Sequence, residues 1–233
     1  MKAITSMATR AVLAELAVKA RKAGLPSFEI ESVGGIDAAA RVSTGEAFDL
    51  VFLAMDTMSR LAASGHVDAR SVTPLLVSPV ALAVPSRTGV AERPAGVAFP
   101  NASALRSGLR EAAHIGHSTG PSGSAFLRMI EEWGMAAELA DRLVQAPPGV
   151  PVAKLLAERK VDLGLQQLSE LVGAPGIRIL GVLPEDCRTD TVFAGAVART
   201  AVDAEQPRAI LEFLGSSAVS EIKIAHNFGD PST

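Results

Sequence analysis

The chain has no tyrosine, one tryptophan and one cysteine, Cys187. A single thiol rules out an internal disulfide framework and supplies no thiolate cluster for a metal. The four histidines, His66, His114, His117 and His226, are too scattered to take its place. No metal and no cofactor are therefore expected. Charge of one sign is also lacking: 22 Lys and Arg stand against 25 Asp and Glu, a formal net charge of −3. Without a basic surplus there is no electrostatic footprint for nucleic acid or for an anionic membrane surface. No apolar run approaches the roughly 20 residues that span a bilayer, so no transmembrane segment is expected. Met1-Lys2 leads directly into a strand-like run, with no apolar core of a signal peptide. The expected location is periplasmic if a leader has been removed and cytoplasmic otherwise.

What is present is enough for a large core. The 233 residues are 48% hydrophobic, with 20 Gly and 14 Pro, and suit one large domain or two small lobes. Lys2 to Met7 reads as a short buried strand. Arg10 to Ala23 follows as a helix, with Val12, Leu13, Leu16, Ala17 and Ala20 on one face and Gly24 as its stop. Ser27 to Val33 is the next strand, and Gly34-Gly35 opens a second helix. Ala47 to Ala54 (AFDLVFLA) is almost wholly apolar, the mark of a strand covered on both faces. Asp56 to Ser64 is a third helix. Such alternation implies parallel strands with helices on both sheet faces, and ligands then bind outside the carboxyl ends of the strands.

Pro79 to Pro85 (PVALAVP) is an apolar strand that leaves the first lobe through the turn-rich Ser86 to Gly89. A second alternation follows. Ala102 to Ala112 reads as a helix, Ala113 to Ser118 as a strand, and Ala137 to Leu143 and Val152 to Glu158 as helices. Val161 to Gln166 and Ile177 to Leu183 read as strands. Thr191 to Val197 (TVFAGAV) returns to the first lobe, and Gln206 to Leu214 and Ser217 to His226 close the chain as helices. The expected domains are residues 1–83 with 198–233, and 84–197, joined by strand crossings near 80–84 and 194–197.

Within the second alternation lies Ser118-Thr119-Gly120-Pro121-Ser122-Gly123-Ser124, followed by an amphipathic helix. Small residues let the backbone curl tightly, and a helix N-terminus favours an anion. Ser122 and Ser124 add hydroxyls that either donate to an anion or cap the helix. The segment lacks the lysine of a phosphate-binding loop. Two carboxylate-chemistry candidates remain, Glu170 and His117, each able to serve as a base, although the plainer readings, a helix-start acid and a surface histidine before a loop, come first. Gln166 and Gln167 alternate sides of a strand, so at most one faces a ligand. Cys187 follows Glu185-Asp186, an acidic setting that disfavours a nucleophilic thiolate.

Taken in order, these features resemble the type-2 periplasmic binding proteins, in the branch like the molybdate-binding proteins. The resemblance rests on the opening strand with Ser6, on Gly45-Glu46-Ala47-Phe48-Asp49-Leu50 and on Val80 to Pro85. It continues through Pro121-Ser122-Gly123, Asp162-Leu163-Gly164-Leu165 and Phe213-Leu214-Gly215-Ser216-Ser217. It implies an α/β fold of two lobes with a ligand cleft between them, in which two serines and backbone N–H groups hold an oxyanion. The site it implies comprises Ser6, Met7, Ala8, Gly34, Gly35, Ser122, Gly123, Ser124, Gln166 and Gln167. The sequence departs from the molybdate pattern at three places. Ala8 and Gly34-Gly35 stand where the family has serines, and Gln167 falls near a contributing tyrosine. A related branch, which includes an aconitate isomerase, handles carboxylates, and Gln166 to Glu170 resembles that branch more. The resemblance implies a solute-binding protein for a small anion, a carboxylate in preference to molybdate, working with an ABC transporter permease. The alternative is an isomerase on the same scaffold that moves a proton on a bound polycarboxylate.

Overall fold

The computed structural model describes residues 1–231. Ser232 and Thr233, the end of the expected span 198–233, lie outside the described residues. The chain forms two compact units, Met1–Ser78 with Val192 onward, and Pro79–Thr191. The first unit contains β1 (Lys2–Ser6), α1 (Arg10–Lys22), β2 (Glu29–Val33), α2 (Gly35–Ser43), β3 (Leu50–Ala54), α3 (Met55–Ala63) and the start of β4 (Thr73–Val90). The second takes the rest of β4, then α4 (Ala102–Glu111), β5 (Ile115–His117), α5 (Pro121–Glu132), α6 (Ala136–Leu139) and β6 (Leu143–Gln145). It continues with α7 (Val152–Ala157), β7 (Leu163–Gln167), α8 (Leu168–Leu171), β8 (Pro175–Val182) and the start of β9 (Asp190–Val197). The rest of β9, α9 (Glu205–Gly215) and α10 (Ser220–Ala225) belong to the first unit.

In the first unit β1 lies between β2 and β3 and is parallel to both, whereas β9 runs antiparallel to β3. Every residue of β3 is buried, and its alternate side chains enter two different cores. Leu50, Phe52 and Ala54 join Val12, Leu13 and Leu16 of α1 and Ile210, Leu211 and Leu214 of α9. Val51 and Leu53 join Ala38 and Val42 of α2 and Met58 and Leu61 of α3. Fully burying one such side chain contributes about 1.5–3 kcal/mol, so two-sided covering is what fixes this sheet. Gly24 takes φ +87° just after α1, the left-handed conformation that ends a helix.

The second unit repeats the plan. β5 lies parallel to β6 and β7, while β4 runs antiparallel to β7 and β8. Leu163 and Leu165 of β7 pack with Ile115 and with Phe126 and Ile130 of α5. The opposite face carries Ala81, Ala83 and the apolar side of α7, namely Val152, Leu155 and Leu156. Asn101 caps α4, its side chain accepting from the Ala104 N–H at 2.9 Å.

Three sequence expectations change. The strands are not all parallel, because β4 and β9 run against their neighbours. Alternation of strands and helices identifies parallel units but is blind to single strands that reverse between them. Residues 137–143 are not one helix: α6 ends at Leu139, a 3-10 turn covers Ala140–Arg142, and Leu143 starts β6. A three-residue strand is too short to show alternation. Finally, β4 extends well beyond Pro79–Pro85 on both sides.

Gly195 of β9 sits opposite Phe52 of β3. A Cβ there would meet Leu75 Cδ1 and Phe52 Cε1, each at 2.9 Å, and would also collide with Leu211. Gly195→Ala is therefore expected to overpack this core and lower unfolding free energy by about 1–3 kcal/mol in urea titration. An unchanged midpoint would show that the neighbours turn away freely.

Candidate functional site

The carboxyl edge of the first unit's sheet gathers three strand-to-helix turns. β1 ends at Ser6 and passes through a 3-10 turn, Met7–Thr9, into α1. Thr5 and Thr9, both fully buried, hold that turn by a hydroxyl contact of 2.6 Å, and Thr5 also donates to the Phe52 carbonyl at 3.2 Å. The Ser6 hydroxyl is held only loosely, 3.5 Å from Thr9 Oγ1. β2 ends at Val33, paired with Ser6, and Gly34 leads into α2. Gly35 lies against Ser6, since a Cβ on Gly35 would come within 3.7 Å of the Ser6 Cβ. Neither α2 nor α3 has a side-chain cap, so their first-turn N–H groups are satisfied by no intrahelical acceptor. Met7 and Ile36 stand exposed at this edge, 38% and 62%. Ser6, Met7, Ala8, Gly34 and Gly35 thus lie on two neighbouring turns.

The second unit places the serine–glycine loop between β5 and α5. The Ser118 hydroxyl, not that of Ser122 or Ser124, caps the helix. Its oxygen accepts from the N–H groups of Gly120 and Gly123, each at 3.2 Å, and lies 3.0 Å from Ser122 Oγ. With both lone pairs taken, Ser118 must give its own hydrogen to Ser122. Ser122 is 1% exposed and keeps one hydroxyl hydrogen to donate elsewhere. Ser124 differs: its N–H bonds the Gly120 carbonyl at 3.1 Å and its side chain is exposed. Of the backbone N–H groups of Ser122, Gly123 and Ser124, the last two are therefore engaged internally, and Ser122 keeps its N–H and hydroxyl as donors. Gly123 is required for another reason, because a Cβ there would collide with the Ser118 carbonyl.

The two glutamines separate as a strand demands. Gln166 faces α7: its Oε1 accepts from the Val152 N–H at 2.8 Å and from Ala153 at 3.4 Å. Its amide N–H₂ is left to donate, and it hydrogen-bonds the Glu170 carboxyl. Burial pushes that carboxyl up to about 7, against the smaller opposing effect of Gln166. Gln167 lies on the other face, 1% exposed, and its Nε2 donates to Thr191 Oγ1 at 2.6 Å. His117 pairs in register with Leu165 and shares that second face, its ring 6.2 Å from Phe126. Burial holds the imidazole below its ordinary range, and Nδ1 lies 3.2 Å from the Ser118 carbonyl. Glu170, on α8, is thus joined to Gln166, whereas His117, on β5, is level with Leu165 on the other side of the sheet, and the two form no acid–base pair. Burial, then Asp186, push the Cys187 thiol up to about 11, leaving it a poor nucleophile. Ser118, Thr5, Thr9 and Thr191 were missed from the sequence. The Thr-x-x-x-Thr spacing across the first turn was the one signal available for any of them.

Among the described residues no group of three or more His, Cys, Asp or Glu is placed to hold a metal, and no helix is long and apolar enough to cross a membrane.

Comparison with known proteins gives consistent results. Residues 2–229 match the family model for bacterial extracellular solute-binding proteins. An aconitate isomerase from Pseudomonas sp. is 31% identical over 176 residues, which is 76% of this chain and 65% of that protein. The matched part therefore spans less than two thirds of this relative. The periplasmic molybdate-binding protein of Azotobacter vinelandii superposes with a TM-score of 0.76 at 16% identity, covering 100% of both chains. PEB3 of Campylobacter jejuni with L-phospholactate bound gives 0.69 at 12%, covering 99% of this chain and 100% of its own. At these identities the structural likeness shows the fold, an α/β architecture shared with two-lobed periplasmic solute-binding proteins.

The Glu170 carboxyl gives a pH test. Its folded value, about 7, lies above its ordinary 4.5, so the folded state holds the proton more tightly than the unfolded chain. That contribution is complete below about pH 4.5 and is lost as pH rises toward 7. Because the side chain is partly exposed, the loss is on the order of 1 kcal/mol. Glu170→Gln is expected to flatten the fall in melting temperature across this window. An unchanged slope would place the titration elsewhere.

Proposed function

The chain belongs to the bacterial extracellular solute-binding protein family, and from that premise we propose that it captures a small organic anion, a carboxylate in preference to molybdate. One observation carries the choice. Exposed Met7 and Ile36 flank the Ser6 turn and the uncapped N-terminus of α2, where the neighbouring Ala8, Gly34 and Gly35 offer no hydroxyl. Backbone N–H groups at a helix N-terminus attract a carboxylate, and the apolar side chains suit a hydrocarbon frame. A bare tetrahedral oxyanion gains nothing from them. In the second unit, Ser122 supplies one hydroxyl donor. In this reading the protein acts outside the cytoplasm and delivers its ligand to an ABC transporter permease.

A second reading has an observation of its own. Glu170 is a carboxyl held near neutrality and oriented by Gln166, the condition a general base needs. The 31% identity to an aconitate isomerase supports a reaction in which a proton leaves one carbon of a bound polycarboxylate and another is delivered to a second carbon. Incubating cis-aconitate with the protein in deuterium oxide, followed by proton NMR, tests it. This reading expects deuterated trans isomer from wild type and none from Glu170→Gln. No exchange in wild type would end it.

For the binding reading, a thermal-shift screen of di- and tricarboxylates against molybdate and tungstate is decisive. A carboxylate at 100 times its dissociation constant should add about 2.7 kcal/mol, while the two metal oxyanions should leave the melting temperature unmoved. Ser122→Ala should weaken the best carboxylate by about 10–100-fold, the loss of a hydrogen bond to a charged group. Submicromolar molybdate binding by calorimetry would overturn the choice.

A further inference from the structure

The proposed site contains one polar atom that no anion satisfies. Gln167 is 1% exposed, and its Oε1 has no hydrogen-bond partner among the described residues, although its Nε2 is bound to Thr191. Buried amide oxygens in native proteins are paired, so the acceptor calls for a donor. Its position says where that donor comes from. Leu163, Leu165 and Gln167 share one face of β7, and the two leucines pack against Phe126 of α5. His117 is level with Leu165, which puts Gln167 one step further toward the carboxyl end of β7. That is the end at which the β5–α5 loop and the Ser122 donors lie. The same corner of the second unit therefore holds a hydroxyl donor at Ser122 and an unpaired acceptor at Gln167.

We infer that the ligand carries a hydroxyl group beside its anionic end and gives that hydrogen to Gln167 Oε1, so that the class selected is a hydroxycarboxylate. This rests on the carboxylate reading above and narrows it. Ionised carboxylates, molybdate and tungstate have acceptors only. An acceptor of theirs placed against the Gln167 oxygen meets a like partial charge and leaves that oxygen unpaired, which disfavours the hydroxyl-free analogue. Gln166 cannot play this part, because both sides of its amide are engaged within the unit.

Matched ligand pairs test the inference in calorimetry at neutral pH: L-malate against succinate, and citrate against tricarballylate. The hydroxylated member of each pair should bind about tenfold tighter or more, and Gln167→Met, which keeps length and removes the acceptor, should bring the two members together. The wild-type pairs decide the matter even if that variant does not fold. Equal affinities within each pair would overturn this inference and leave the carboxylate reading standing. Preference for the hydroxyl-free member would also overturn it, since it would mean the amide is reversed and presents its N–H₂. If none of the four binds, the carboxylate reading fails and this inference falls with it.

Discussion

Strands covered by helices on both faces have only their ends free for chemistry, and that constraint governs both units. Leu50 to Ala54 are buried on each side, as are Leu163 to Gln167. Along their length the two faces are closed to a solute, and only the last residues, at the carboxyl end of each strand, come next to the loops. What remains is the carboxyl edge, where each parallel strand hands the chain to a helix and leaves that helix's first N–H groups without a partner inside it. The candidate residues of the first unit sit at such turns because the packing of β1, β2 and β3 admits no other place for them. The same packing explains why Thr5 and Thr9 are polar: a turn leaving a fully covered strand must have its hydroxyls and carbonyls paired locally.

Not every helix start at such an edge is available. In the second unit the Ser118 hydroxyl absorbs two N–H groups, and Gln166 absorbs two more at the start of α7. Both are internal caps, and both reduce the positive potential a ligand would meet. What is left is sparse, and in the proposed reading that sparseness is what selects the ligand. Ser122 retains a hydrogen to give, and Gln167 retains a lone pair to fill. A site of few groups discriminates by matching each one, because any unmatched buried group is expensive in free energy.

Much of this was legible before the structure. The spacing of Val12, Leu13 and Leu16 gave α1 almost to the residue, and the unbroken apolar run at Leu50 to Ala54 announced two-sided burial. The loop from Ser118 to Ser124 was recognisable by its small residues. The identity of its capping hydroxyl was not, because three serines within seven residues are equivalent until the backbone path is known. β6 was hidden by its length. The reversal of β4 and β9 was hidden because strand direction leaves no trace in an apolar run. The rule that adjacent strand residues face opposite ways did separate Gln166 from Gln167, but could not say which of them was already engaged.

That last distinction bears most on function. Two glutamines side by side in the sequence have identical chemistry, and only their surroundings assign them different work. Gln166 looks toward α7, where two N–H donors fill its oxygen and its amide donates to Glu170, so it stiffens the unit and orients a carboxyl. Gln167 lies on the face of β7 that Leu163 and Leu165 turn toward α5, and there Thr191 takes only its nitrogen. The fold thus fills one amide oxygen and leaves the other empty, one residue apart on one strand. Completing Gln167 requires a hydrogen-bond donor, and supplying Ser122 requires an acceptor. A single small molecule bearing both groups satisfies the two demands together, which a bare oxyanion, having acceptors only, does not.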